Sequence, residues 1–388
     1  MSTLKVNKIE STTSGGDCIV NATNKPGHNL IINGAMQIAQ KATSATNHGL
    51  TTVDRISPYV TNTNSGTTTF SQADITSGGA YDAGFRKSFK VATAQAGNTS
   101  TASAYMSAYS TKLEAQDIAN SGWKYVDPNS KVTVSFWIKA STADNFQLQL
   151  VTDDGTKKKY NTTVAATTSW TRITKTIPGH ADLTFNNDTG KGLTVQLIVA
   201  TGSDMAGTVT QDAWGANTVA AVASGQINTW LAAGAGTIET TGWLLEVGDV
   251  ANDYPHVSYG EELIRCKRYL NVLANPAFDT YSDDKGRQPF AMGQVWNKDT
   301  KDCRFRGNFD VEMRAAPSLY KVVGTAWFRI SVVGGVNTTS DWTLQGSWRN
   351  FFELKCTAID AFGSDDNGMA IFAICFNSGA RLGFSAEL

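Results

Sequence analysis

The chain of 388 residues is short of charge: Asp, Glu, Lys and Arg make up 17%, against roughly 25% in ordinary globular proteins. Its 33 Lys and Arg nearly balance 34 Asp and Glu, leaving a formal charge of -1. That balance argues against an electrostatic grip on nucleic acid or on an anionic membrane. The five Cys, at 18, 266, 303, 356 and 375, contain no CxxC and are too scattered for a disulfide scaffold. Buried, reduced thiols made in a reducing cytoplasm are the expectation. No apolar run approaches the ~20 residues that span a bilayer; the longest is Met369 to Phe376. Residues 1–8 lack the apolar stretch of a secretory signal, so a soluble protein that does not leave the cell through a cleaved signal is expected. The 4 His, at 28, 48, 180 and 256, each adjoin Gly or Pro, read as turn residues and are not spaced as metal ligands. P-loop, GxSxG, HExxH and EF-hand patterns are absent. A Ser or Cys nucleophile lacks its usual base, and no cofactor is expected.

What is present is β-structure. Hydrophobic residues at 41% suffice for a core, Gly is plentiful at 35, and Pro is scarce at 8. Length alone allows two to three domains. From 29 to 255 apolar and polar residues alternate, as in Val132, Val134, Phe136 and Ile138, then Phe146, Leu148 and Leu150, then Leu193, Val195, Leu197 and Val199. Turn-forming residues separate these runs at Asp127-Pro128-Asn129, Asp153-Asp154-Gly155, Pro178-Gly179 and Asn186-Asn187-Asp188. Many short strands without alternating helices predict an all-β sandwich or barrel. The Ala- and Thr-rich stretch 206–237 reads as a large loop.

One helix is expected. Ser258 with Glu261 has capping-box spacing, and Leu263, Cys266, Tyr269, Leu270 and Leu273 recur at helical intervals. This predicts a helix over 259–273, inside a linking segment 256–276 closed by Asn275-Pro276, with Leu263, Tyr269, Leu270 and Leu273 buried. A smaller β domain follows at 277–388. Residues 1–28 hold two short apolar runs, too little for a core of their own, and so call for a partner.

Two groups of residues invite chemistry. The pairs Asp153-Asp154, Asp283-Asp284 and Asp365-Asp366 suit acid/base work or calcium, but equally suit turns. Ten Trp suit sugar stacking, although most Trp in β proteins pack inside. Trp342 and Trp348, in the polar stretch 338–350, are the Trp expected at the surface.

Several segments together resemble the tail fibre proteins of tailed bacteriophages. They are Asn29-Leu30-Ile31-Ile32-Asn33-Gly34-Ala35-Met36-Gln37, then Asp54-Arg55, where Ile56 stands in place of that family's Trp. Val132 to Lys139, Ser169-Trp170-Thr171-Arg172 and Thr176-Ile177-Pro178-Gly179 are similar to the family's carbohydrate-binding-module-like jelly roll. Gly242-Trp243-Leu244-Leu245-Glu246-Val247-Gly248-Asp249-Val250-Ala251, Tyr259 to Leu263, Cys266 to Tyr269, and Met313-Arg314-Ala315-Ala316-Pro317 complete the set. The resemblance implies a jelly-roll β-sandwich over 29–255, a linking helix, and a C-terminal β domain for receptor contact or trimerisation. It implies a homotrimer in the virion tail, assembled in the host cytoplasm and docked to a tail or baseplate protein through residues 1–28. The partner it implies is a host surface glycan or outer-membrane receptor, with no catalysis; the residues expected to make that contact, as aromatic stacking surfaces with a neighbouring donor, are Trp342, Trp348 and Arg349. A structural adaptor without receptor contact and a polysaccharide-cleaving tailspike are the alternatives.

Overall fold

The computed structural model describes residues 29–218, 222–274, 289–322, 328–332, 335–358, 370–375 and 381–388. The expected attachment segment 1–28 and the pairs Asp283-Asp284 and Asp365-Asp366 lie outside them. Period-two alternation sends every second side chain to one face of a strand, and each apolar stripe named above is buried.

Twelve strands build the first unit: β1 (Ser44–Ala45), β2 (Tyr59–Thr61), β3 (Thr68–Asp74), β4 (Lys87–Thr93), β5 (Tyr105–Glu114), β6 (Lys131–Ala140), β7 (Asp144–Thr152), β8 (Lys158–Ala166), β9 (Thr171–Pro178), β10 (Lys191–Thr201), β11 (Ala213–Ala216) and β12 (Thr237–Val247). They form two six-stranded sheets, ordered β1-β3-β4-β12-β6-β9 and β11-β8-β7-β10-β5-β2. Neighbours such as β4 and β12, or β5 and β10, are far apart in sequence and antiparallel. This is a jelly-roll sandwich. Its core centres on Trp243 of β12, stacked between Tyr109 at 3.7 Å and Phe136 at 3.8 Å. Helical turns α1 (Gly79–Asp82), α2 (Ala115–Ala119) and α3 (Thr229–Ala232) lie between strands.

The helix α4 (Tyr259–Lys267) begins as expected, with the Ser258 hydroxyl accepting the Glu261 amide at 3.2 Å. Acidic Glu261 and Glu262 in its first turn and Arg265 and Lys267 in its last suit the helix dipole. It stops six residues short of the expected end. Leu270–Ala274 is instead a strand, β13, paired with β21 (Arg381–Ser385). Cross-strand partners more than a hundred residues away override the local helical pattern. Tyr269 and Leu270 are buried and Leu263 and Leu273 half-buried; the helix itself buries Glu262 and Cys266.

The remaining strands are β14 (Pro289–Asn297), β15 (Asp302–Asn308), β16 (Ser318–Val322), β17 (Phe328–Val332), β18 (Gly335–Ser347), β19 (Phe351–Ala358) and β20 (Ala370–Cys375). Strands β14-β15-β19-β18-β17-β20 close a barrel, and β13-β21-β16 form a small sheet. Across the barrel wall Val295 faces Cys303, Cys303 faces Cys356, and Cys356 faces Trp342. All four are buried. Cys266, Cys303 and Cys356 are buried free thiols, as the cysteine spacing suggested.

Candidate functional site

The segments that carry the family resemblance converge in space. Asn29 sends its amide to the Trp243 carbonyl at 2.8 Å, and its oxygen accepts from the backbone of Ile31 and Leu245. The Asn33 side chain bonds Ile38 and the Asp54 carbonyl, while the Asn33 amide donates to Glu262 of α4 at 2.6 Å. Asp54 accepts two bonds from Gln40, which also donates to the Leu270 carbonyl. Burial pushes the Asp54 carboxyl up to about 7 against those hydrogen bonds. Arg55 pairs with Glu387 and lies 3.5 Å from the centre of the Tyr269 ring. Tyr269 donates to Glu114 at 2.6 Å, and Arg268 grips the same carboxylate with two bonds of 2.8 Å. Burial works to raise the Glu114 carboxyl, but the Arg268 and Tyr269 bonds outweigh it and hold it below its usual range. Arg314 donates to the carbonyls of Ala386 and Thr189. These motif residues, with Gln40, Glu114 and Glu387, form a polar joint between sandwich and small sheet.

A surface site lies beside the joint. A cleft of about 340 Å³ opens on the outer face of the first sheet, lined by Asp82, Phe85, Trp137, Arg172, Tyr254 and His256, with Ser135 and Gly242 at its floor. Trp137 and Arg172 are cross-strand partners on β6 and β9, so their side chains share that face. Behind them Gly78 and Gly79 of the α1 turn press on the indoles: a Cβ at Gly79 meets Trp137 at 2.7 Å, and one at Gly78 meets Trp170 at 3.1 Å. Gly242 has φ +67, and a Cβ there meets Phe85 at 2.5 Å. Glycine is needed for both reasons.

The other wall is the segment after β12. Glu246 accepts the Asn252 amide at 2.8 Å and its side chain at 2.6 Å. The Asn252 carbonyl in turn accepts from Arg172, whose head also lies 3.5 Å from the Ser135 hydroxyl and 3.9 Å from Asp253. The guanidinium is thereby held before any ligand arrives. Phe85, Tyr254 and His256 make a cluster of edge-on and tilted rings 4.8–5.0 Å apart. His256 Nε2 lies 3.0 Å from the Ala83 carbonyl; a carbonyl only accepts, so Nε2 carries a proton there. Burial raises the pKa of the Tyr254 phenol above its usual range.

The second sheet is covered on its outer face. Its outward amides Gln147, Gln149 and Asn161 are buried beneath residues of 203–218 and 222–228, Gln147 bonding Gln211 and Gln149 bonding the Val222 carbonyl. The expected large loop is thus a cover, and it contributes β11 and α3.

The residues singled out from sequence do not meet in one place. Trp342 is 1% exposed, inside the barrel, 5.2 Å from Phe305. Its expected surface presentation is corrected: the adjacent Thr343 is exposed while the Trp342 ring faces in. Trp348 is 55% exposed, in the β18–β19 turn, tilted against Phe351 at 5.6 Å. Arg349 beside it is tied to Glu312 at 2.9 Å and to the Met313 carbonyl at 3.1 Å. Asp153 and Asp154 anchor turns, Asp153 pairing with Lys157 and Lys191, Asp154 accepting from Asn186. No group of three His, Cys, Asp or Glu suited to a metal occurs among the described residues. Sequence reasoning missed Trp137, Arg172 and His256 as one site. It also missed Trp296, an exposed barrel indole with the Arg304 and Arg306 heads 4.9 and 5.6 Å from its ring.

No protein-family model matches the chain, and no curated protein is significantly similar to it in sequence. Solved structures similar to the sandwich region include the enzymatically active domain of bacteriophage CBA120 tailspike protein 4, at 10% identity and TM-score 0.31, covering 57% of this chain and 21% of that one. The family 11 carbohydrate-binding module of a Clostridium thermocellum cellulosomal cellulase is similar at 10% identity and TM-score 0.26, covering 54% and 96%. The N-terminal cellulose-binding domain of Cellulomonas fimi β-1,4-glucanase C is similar at 10% identity and TM-score 0.27, covering 55% and 99%. Similarity at this level assigns no ligand to the cleft.

Proposed function

We propose that the protein is a phage tail fibre protein that recognises the host surface by binding glycan in the sandwich cleft, without catalysis. The observation that carries this reading is the half-buried indole of Trp137 beside an Arg172 held in place by Glu246 and Asn252. The apolar face of a sugar ring stacks on such an aromatic surface while its hydroxyls bond the polar rim, the pattern of an apolar wall with few placed polar groups. The resemblance of the joint segments to tail fibres supplies the setting: a homotrimer on the virion tail, attached through residues 1–28. Three linked sites raise weak single-sugar affinity by about 10²–10⁴ through avidity. Trp348 and Arg349 form a second surface for receptor contact, favoured by the exposure of the Trp348 ring.

The test is binding of the full chain to immobilised host envelope polysaccharides. Trp137→Ala is expected to abolish capture, with circular dichroism checking that the variant stays folded at the assay temperature, and polymer length is expected to stay constant on incubation. Capture indifferent to Trp137 removes the cleft from recognition, and shortened polymer makes the protein a tailspike enzyme. Light scattering of the soluble chain measures the trimer directly; a monomer at micromolar concentration refutes it.

A further inference from the structure

We infer that the sugar taken by the cleft is an uncharged pyranose at the end or branch of a glycan, and that acidic sugars are turned away; this rests on the glycan reading above. Size comes first. At about 340 Å³ the cleft is at the lower end of small-molecule sites, which run from roughly 300 to 1,000 Å³. It suits one or two rings, not a long stretch of chain.

Charge decides the class. An anionic sugar needs an uncommitted cation, best a guanidinium offering two parallel N–H bonds. Arg172 is the one Arg or Lys in the lining, and its neighbours already hold it. Arg172 spends one terminal nitrogen on the Asn252 carbonyl and the Ser135 hydroxyl and turns the other towards Asp253. Arg86 stacks on the Tyr81 ring at 3.8 Å and donates to the Tyr81 and Phe85 carbonyls. Lys139 lies over the Trp170 ring at 5.0 Å and pairs with Glu239 at 3.2 Å.

The lining carboxylates outnumber Arg172. Asp82 and Asp253 are both exposed, and Asp253 shares Arg172 as its neighbour at 3.9 Å. With Arg172 the lining carries one positive and two negative fixed charges. Carboxylate oxygens only accept, so they pair with hydroxyl donors through charge-assisted bonds and repel a uronate or phosphate at the same position. The His256 ring adds a further polar group that a hydroxyl can meet. A ring stacked on Trp137 with hydroxyls directed to Asp82, Asp253 and His256 satisfies every one of these groups. A carboxylate in place of one hydroxymethyl group does not.

The matched probes are methyl hexopyranosides and their methyl uronide counterparts, which differ at one carbon, supplemented by neutral and acidic polysaccharides. Saturation-transfer NMR and competition binding are read on the full chain. At least one neutral probe is expected to bind in a Trp137-dependent manner, with its uronide about tenfold weaker or worse. The double substitution Asp82→Asn with Asp253→Asn is expected to narrow that gap, because the amides keep the shape and lose the charge. Trp137-dependent binding of acidic probes at equal or higher affinity overturns the inference and leaves the glycan reading standing. Binding of no probe of either kind overturns both.

Discussion

Replacing Glu387 by Ala removes one half of an ion pair whose other half has nowhere to go. Arg55 is 4% exposed and Glu387 7% exposed. After the substitution the guanidinium keeps only the Lys112 carbonyl at 2.5 Å and the Tyr269 ring at 3.5 Å, and its Nε is already without a hydrogen-bond partner. Orphaning a buried charge costs about 3–5 kcal/mol, and the ring returns about 1–2 kcal/mol at most; that attraction exists before and after, so it does not soften the loss. The expected destabilisation is therefore about 3 kcal/mol or more. Because the pair binds the last strand's exit to the sandwich, the damage should be local first. Urea unfolding followed by tryptophan fluorescence gives the overall figure, and amide exchange at Ala386 reports release from the Tyr269 carbonyl it bonds at 2.7 Å. Arg55→Met combined with Glu387→Leu should recover most of the loss, since apolar replacements of buried pairs are often neutral. If Glu387→Ala moves stability by less than about 0.5 kcal/mol, the joint is not held as described.

Other outcomes follow from the same geometry. Asp54, raised by burial to about 7 from an ordinary 3.8, contributes stability that is full below about pH 4 and lost as pH rises through 7; Asp54→Asn should flatten that part of a pH-stability profile. Gly242→Ala forces a side chain at φ +67 into the Phe85 ring, and should lower stability by about 2–3 kcal/mol in thermal melts. Ser258→Ala removes the α4 cap and should cost about 1 kcal/mol, read by the same melts.

The sandwich strands were legible because each buries one stripe against the opposite sheet, so the local pattern and tertiary environment agree. The start of α4 was legible for the same reason: Ser258 and Glu261 settle it within one turn. Its end was not. Leu270 and Leu273 satisfy helical spacing, and only their position beside β21 decides for a strand. Trp342 misled because a barrel wall needs just every second residue inside, so its immediate neighbours in sequence, Asp341 and Thr343, are free to be polar. The cleft was illegible as a unit, since it draws on residues 82–85, 135–137, 172, 242 and 253–256. His256 read as a turn residue beside Pro255, and one of its ring partners, Phe85, is contributed by another segment. Gly242 was the nearest thing to a signal: a glycine inside a strand marks a close approach, though not what approaches.

The small sheet has an organisational consequence. Its strands β13, β16 and β21 alternate along the chain with those of the barrel, β14 and β15 lying between the first two and β17 to β20 between the last two. The barrel is thus a cassette inserted twice into a platform that is itself riveted to the sandwich by Arg55, Glu114, Arg268 and Arg314. A different barrel can occupy the same insertion points without touching those rivets, so the outer module is free to diversify while the mount stays constant.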